Sequence, residues 1–376
     1  MSHRQKIIGL MSGTSLDGVD AAVLDTDGES IFGFGPSLTI SQYPDPAIEG
    51  AIAAALKWRF NGPAPNIFSK AEAAVHALHI RAIEKLYADN PALKGDVTLI
   101  GFHGQTILHR PATQTQKGAT LQLGKGRVLA EKFGVPCVFD FRSADVAAGG
   151  QGAPLAPIYH QALCRYSALT GRIAVVNIGG VSNVTLIDGD APLRASDSGP
   201  GNGPLDSWVR LKTKAAYDKG GKLSLAGAPD FSRIDNWLRA QFFARPMPRS
   251  ADRYDFDVLA DMRDMNLEDG AATLASFTAE AIACDLRAFN PSKIIVCGGG
   301  RLNPAMMNML ACHISGEVLT AEDVGWDGDA LEAQAFAYLA ARSRRGLPLS
   351  FPGTTGAPMD MGGGLLAPPK LRNHVR

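Results

Sequence analysis

The chain has 376 residues, 45% hydrophobic and 20% charged, which favours two globular domains over one and an ordinary soluble enzyme composition. Thirty-seven basic residues balance thirty-seven acidic ones. A net charge of zero argues against nucleic acid or an anionic membrane as a bulk partner, and no apolar run reaches transmembrane length.

The N-terminus, Met1 to Lys6, is basic and runs straight into an apolar strand, without the apolar core and cleavage site of a signal peptide. The expected address is the cytoplasm. Residues 7–40 read as strands joined by tight turns. The first hairpin carries the turn Ser12-Gly13-Thr14-Ser15-Leu16-Asp17-Gly18 ahead of Val19. Small residues, backbone N–H groups and short polar side chains let such a turn sit against a phosphate. It is neither a Walker loop, which carries a lysine, nor G-x-G-x-x-G. Residues 46–90 carry helical spacing. Residues 96–103 read as a buried strand opening into a polar turn at Gly104, Gln105 and Thr106. After Val135–Asp140 the loop Gly149-Gly150-Gln151-Gly152-Ala153-Pro154 leads toward a second lobe.

The pattern then restarts. A second hairpin, residues 174–187, turns at Gly179-Gly180. Asp197 to Asn202 reads as a glycine-rich turn, followed by a helix from about Pro204 that contains Asp206. Residues 217–256 are polar, 271–289 form an alanine-rich helix, and strand 293–297 ends in Gly298-Gly299-Gly300. Three consecutive glycines fit a place where a flat ring or a phosphate approaches the backbone. A helix from Ala330 to Ser343, a loop at 352–357 and a basic, partly disordered tail from Pro358 complete the chain. Strands alternating with helices give an α/β protein. Cys137, Cys164, Cys284, Cys297 and Cys312 are widely spaced and odd in number, and read as reduced thiols.

Each motif has a plain structural reading beside the chemical one. Ser, Asp and Gly are common in hairpin turns. An Asp before a helix is often a cap. Arg142 and Asp145 could simply pair on a helix face, and Glu332 could be a solvated helix-start residue. The combination carries more than any part. Two phosphate-type hairpins and a late triple glycine match the sequence of parts in the actin, heat-shock ATPase and sugar-kinase superfamily.

Within that superfamily the segments Gly9–Asp20, His103–Thr106, Gly149–Pro154, Asn177–Gly180 and Asp197–Asn202 resemble the anhydro-N-acetylmuramic acid kinase family, from residue 7 to about 357. The resemblance implies two α/β lobes in an actin-like, sugar-kinase ATPase fold, with mixed sheets, flanking helices and a deep interlobe cleft that closes on substrate. The lobes are expected at 1–140, joined by 350–376, and at 141–349. The resemblance implies ATP with Mg²⁺, water and an anhydro amino sugar as the small-molecule partners, and leaves a homodimer open.

The implied reaction opens 1,6-anhydro-N-acetylmuramic acid and phosphorylates it, feeding cell-wall recycling. Asp197 matches the base. Residues 12–19, Gly179, Gly180 and Gly298–Gly300 match the nucleotide contacts, and Asp17 the metal. Arg142, Asp145, His103, Gln105, Gln151 and Glu332 match groups around the sugar. Lys125 and the stretch Met247–Arg253 depart from the family pattern, the latter at a place where substrate contacts are expected.

Overall fold

The computed structural model describes residues 3–13, 18–41, 45–112, 116–251 and 255–370. In chain order the strands are β1 (Gln5–Ser12), β2 (Val19–Thr26), β3 (Ile31–Ile40), β4 (Val97–Arg110), β5 (Ala119–Leu123), β6 (Cys137–Phe139), β7 (Arg172–Ile178), β8 (Val181–Asp188), β9 (Arg194–Pro200), β10 (Lys293–Cys297), β11 (Glu317–Thr320) and β12 (Leu365–Ala367). The α-helices are α1 (Pro46–Trp58), α2 (Ile67–Asp89), α3 (Gly126–Phe133), α4 (Ser143–Ala147), α5 (Pro157–Tyr166), α6 (Asn202–Lys212), α7 (Lys222–Ala226) and α8 (Phe231–Trp237). They continue with α9 (Gln241–Ala244), α10 (Leu267–Arg287), α11 (Pro304–His313), α12 (Leu331–Arg344) and α13 (Pro352–Thr355).

Two sheets organise the chain. The first runs β12-β6-β4-β1-β2-β3, with β5 added on β4. Strands β1, β2 and β3 form an antiparallel meander, and β4 and β6 follow in parallel on the other side of β1. The second sheet runs β11-β10-β7-β8-β9, again a meander, β7 to β9, with β10 and β11 parallel beyond its first strand. The duplication read from the paired hairpins is therefore present as a repeated strand plan.

The first compact unit is Met1–Tyr166 with Ala330–Arg376, and the second is Ser167–Asp329. These limits differ from the expected 140/141 and 349/350. Helix α12 packs on β1, β2 and β4, so it belongs with the first sheet. The reason is visible in the strands. Gly9 on β1 and Gly101 on β4 are register partners. A Cβ on Gly9 would lie 1.8 Å from the Ala333 carbonyl oxygen, and one on Gly101 would lie 2.1 Å from that of Phe336. Two side-by-side glycines thus let the backbone of an alanine-rich helix sink onto the sheet.

Several expected elements take other forms. The polar turn at 104–106 is inside β4, which runs on to Arg110, with Gly104 at φ +74 in the left-handed region. Asp197 is not in a turn, because β9 extends to Pro200 and α6 begins at Asn202. The helical stretch 46–90 is two helices, interrupted where Arg59 and Phe60 take positive φ. The tail as far as Lys370 is built into the first unit, since β12 pairs with β6 and Ser350 bridges to Met361. Among the described residues no helix is long and apolar enough to cross a membrane.

Candidate active site

In the first unit four of the predicted sugar-contact residues, His103, Arg142, Asp145 and Gln151, are joined in one hydrogen-bond chain. His103 lies in β4, 3% exposed, with its ring 4.5 Å from that of Phe336. Its Nδ1 faces the Gly104 carbonyl at 2.8 Å and so must donate. Its Nε2 then accepts from Arg142 Nε at 3.1 Å. That arrangement fixes the neutral tautomer. Burial and the Arg142 cation together hold its pKa well below the usual histidine value.

Arg142, just before α4, also donates to the Gly152 carbonyl at 2.7 Å. Gly152 N–H in turn donates to Asp145 Oδ1 at 2.7 Å. The other carboxylate oxygen of Asp145 accepts from the Ser350 hydroxyl and, at 2.6 Å, from Thr355 Oγ1. Asp145 is 1% exposed, so the geometry makes it the anchor of the Gly149–Pro154 loop in place of the sugar contact the sequence suggested. Gln151, in that loop, donates its N–H to the Thr355 carbonyl at 2.7 Å, and its carbonyl accepts from His109 Nε2 at 2.8 Å. Burial is the main cause that lowers the His109 pKa to about 4, with Arg142 adding to it.

The first hairpin meets this chain at its strand end. Ser12 Oγ donates to the Gly104 carbonyl at 3.2 Å, and Gln105 Nε2 to that of Gly13 at 3.1 Å. Gln105 is thereby a brace between β4 and the turn. Thr14, Ser15, Leu16 and Asp17 lie outside the described residues. Val19 is fully buried, paired with Ile40, so its side chain belongs to the core and cannot line a ligand site. A Cβ on Gly18 would meet the Ile40 carbonyl oxygen and Thr39 Cγ2, each at 2.9 Å, so packing already accounts for glycine there. Glu332 is exposed in the first turn of α12.

In the second unit three glycine segments gather around the turn between β7 and β8. A Cβ on Gly201 would meet the Gly179 carbonyl oxygen at 2.2 Å, and one on Gly203 the Gly180 oxygen at 2.7 Å. Asn202 N–H donates to Gly179 and Gly203 N–H to Gly180, so two backbone donors at the start of α6 are spent on the hairpin. Gly298, at φ +72, abuts Asn177 and Ile178, and Gly300 abuts the Ile178 side chain. These four glycines are explained by close approach of protein to protein. Gly180 differs, because a Cβ there would meet no atom of the described residues within 4 Å. Gly179 and Gly299 are nearly as open, with single neighbours at 3.6 and 3.4 Å. The open faces among the predicted nucleotide contacts of this unit are therefore Gly179, Gly180 and Gly299.

Asp197 sits on β9 opposite Asn183 of β8. Its backbone N–H donates to the Arg249 carbonyl at 2.9 Å, and its Oδ2 accepts from Ala251 N–H at 2.8 Å. The departing stretch near Met247 thus lies along β9. Its Arg249 is buried and ion-paired with Asp285 at 2.7 Å, so the arginine is a structural element of this unit. Lys125 is exposed and pairs with Glu72 at 2.9 Å. Sequence reasoning missed Ser350, Thr355, His109 and Ala251. The first two lay in or beside a recognised loop, and the backbone donor of Ala251 leaves no mark in sequence.

These features describe a duplicated α/β protein with an open glycine turn in its second unit and a buried polar chain in its first. A family model described as anhydro-N-acetylmuramic acid kinase matches residues 5–368. The chain belongs to the anhydro-N-acetylmuramic acid kinase family. A curated relative of that name from Phenylobacterium zucineum is 46% identical over 369 residues, covering 97% of this chain and all of the relative. One from Mesorhizobium japonicum is 46% identical over 367 residues, covering 96% of this chain and 98% of the relative. Among solved structures, the activator of the 2-hydroxyisocaproyl-CoA dehydratase from Clostridium difficile with bound ADPNP is similar with a TM-score of 0.45 at 13% identity. It covers 91% of this chain and 97% of that one.

Proposed function

We propose that the chain catalyses the reaction of its family. It takes 1,6-anhydro-N-acetylmuramic acid, ATP and water, and yields N-acetylmuramic acid 6-phosphate and ADP in cell-wall recycling. The observation that carries this reading is the family match over nearly the whole chain. The geometry of Asp197 supports the chemistry.

Water adds to the anomeric carbon as the C1–O6 bond breaks. The water proton goes to Asp197, and O6 takes the γ-phosphoryl group. One carboxylate suffices, because the phosphoryl group captures the leaving oxygen. The Ala251 N–H donates to one oxygen of Asp197 and aims the carboxylate. In the first unit, Arg142 suits a carboxylate such as the lactyl group of this sugar. His103 stays neutral, and its Nε2 aims Arg142. Gln105, Gln151 and Glu332 remain candidates for sugar contacts, and Asp145 is reassigned to holding the loop.

The faces of Gly179, Gly180 and Gly299 suit the nucleotide, since backbone without side chains admits a phosphate or a flat ring, and the turn 12–18 is a proposed nucleotide contact for its short polar residues. No group of three His, Cys, Asp or Glu suited to a metal occurs among the described residues. Mg²⁺ needs no such group, because one or two carboxylates and the phosphates hold it, and Asp17 is the proposed ligand. When bound, it neutralises phosphate charge. The enzyme works in the cytoplasm, where ATP is available.

The test is sugar-dependent ADP release with the 1,6-anhydro sugar set against N-acetylglucosamine and glucose, in ¹⁸O-labelled water. Label at C1 of the phosphorylated product is expected. Asp197→Asn should keep ATP binding and lose turnover by several orders of magnitude. Phosphorylation without label, or an Asp197→Asn enzyme with normal turnover, refutes the corresponding part.

A further inference from the structure

The ion pair between Arg249 and Asp285 is tied to Asp197 at short range through the Arg249 backbone. Arg249 sits on the stretch that runs beside β9. Its carbonyl accepts from Asp197 N–H at 2.9 Å, and its N–H donates to Ser196 Oγ at 3.1 Å. Two residues further on, Ala251 donates to Asp197 Oδ2. The stretch therefore grips the strand on both sides of the carboxylate and supplies one of its hydrogen bonds.

What fixes the stretch is the Arg249 side chain. Its guanidinium donates through one nitrogen to both Asp285 oxygens, at 2.7 and 2.8 Å, and through the other to the Arg245 carbonyl at 3.2 Å. It lies 4.8 Å from the centre of the Phe242 ring. The side chains of Arg249 and Asp285 are only 5% and 9% exposed. Asp285 is on α10, whose apolar face is the centre of the second core. A rigid helix thus holds an arginine, and the arginine holds the backbone that orients Asp197.

We propose that Asp285 and Arg249 are positioning residues for Asp197, setting the direction of the Ala251 N–H through a buried ion pair. The inference rests on the reading of Asp197 as the base. A salt bridge in such surroundings adds little to stability over a well-packed apolar pair, whereas its fixed geometry can set one local arrangement. This also gives a role to the stretch where the sequence leaves the family pattern: it stays attached to Asp197 through its backbone.

The experiment is a kinetic double-mutant cycle. Asp285→Asn keeps shape and removes the charge. It should lower kcat by about tenfold to a hundredfold, the value of one charge-assisted bond, with KM for sugar and ATP within about twofold. In the Asp197→Asn background the same change should have no effect on the residual rate, because the group it acts through is gone. Arg249→Lys, which keeps the cation, should retain more of kcat than Arg249→Met. If Asp285→Asn lowers the yield of folded protein, the pair Arg249→Met with Asp285→Leu restores packing. It should still show the kcat loss, since apolar contact does not fix the direction of an N–H. Wild-type kcat in that double variant, or an undiminished Asp285→Asn effect in the Asp197→Asn background, overturns the proposal. Normal turnover of Asp197→Asn by itself would instead overturn the base assignment on which it rests.

Discussion

Gly9→Ala places a methyl group where β1 meets α12. The added carbon would lie 1.8 Å from the Ala333 carbonyl oxygen, 2.7 Å from Ala337 N and 2.8 Å from the Ala333 carbonyl carbon. All three are backbone atoms, so no rotamer change relieves the contact. A separation of 3.0 Å or more needs α12 to retreat by at least 1.2 Å. A gap of about 0.5–1 Å already forfeits roughly a quarter to a half of each dispersion contact. Helix α12 buries Leu331, Phe336, Tyr338 and Leu339 together with five alanines, Gln334 and Arg342, so many contacts weaken at once. Overpacking usually costs about 1–3 kcal/mol, and a block made by backbone belongs at or above the top of that range. The expectation is a loss of about 3–5 kcal/mol, or roughly 1–2 M in the urea midpoint for the first unit. Gly33→Ala on β3 is the control, because a Cβ there meets no atom of the described residues within 4 Å, and its midpoint should stay within about 0.2 M. Adding Gly101→Ala to Gly9→Ala should cost less than the sum, since both lift the same helix. A Gly9→Ala protein as stable as the control would refute the close-packing account.

Asp145→Asn should raise KM for the sugar by about tenfold while changing kcat less, because it loosens the loop that carries Gln151 and the Arg142 acceptor; unchanged KM in steady-state kinetics would return Asp145 to a passive role. His79 and His160 are buried and His109 is partly buried, and desolvation is the main cause that lowers the pKa of each to about 4. Their folded values lie below the unfolded one, so the stability they contribute is complete above about pH 6.5 and is lost as pH falls toward 4. Between pH 7 and 5 that is on the order of 2 kcal/mol for each group, read from urea midpoints across pH. His79→Leu should flatten this slope, as its Nε2 is a buried atom with no hydrogen-bond partner among the described residues; an unaltered slope would contradict the reading.

Much of the fold was legible because short-range chemistry writes itself into sequence. Glycine where backbones approach closely and a strand before each hairpin turn are local requirements that few other residues meet. The repeated meander was likewise visible as two similar hairpins 167 residues apart, from Ile7 to Ala174. The order of motifs was enough to identify the family.

Tertiary structure decided what each motif is used for. Gly298 and Gly300 were candidates for a ligand, but the protein's own atoms at Asn177 and Ile178 fill the space beside them. Asp145 was a candidate for the sugar, but Ser350 and Thr355 reach it from more than 200 residues away in the chain. The helix at 331–344 belongs with the first sheet, because Gly9 and Gly101 open a seat for it there. Sequence fixes which residues can tolerate a close approach or carry a charge. Only the folded chain determines which partner arrives, since contacts between distant segments depend on the packing of all that lies between.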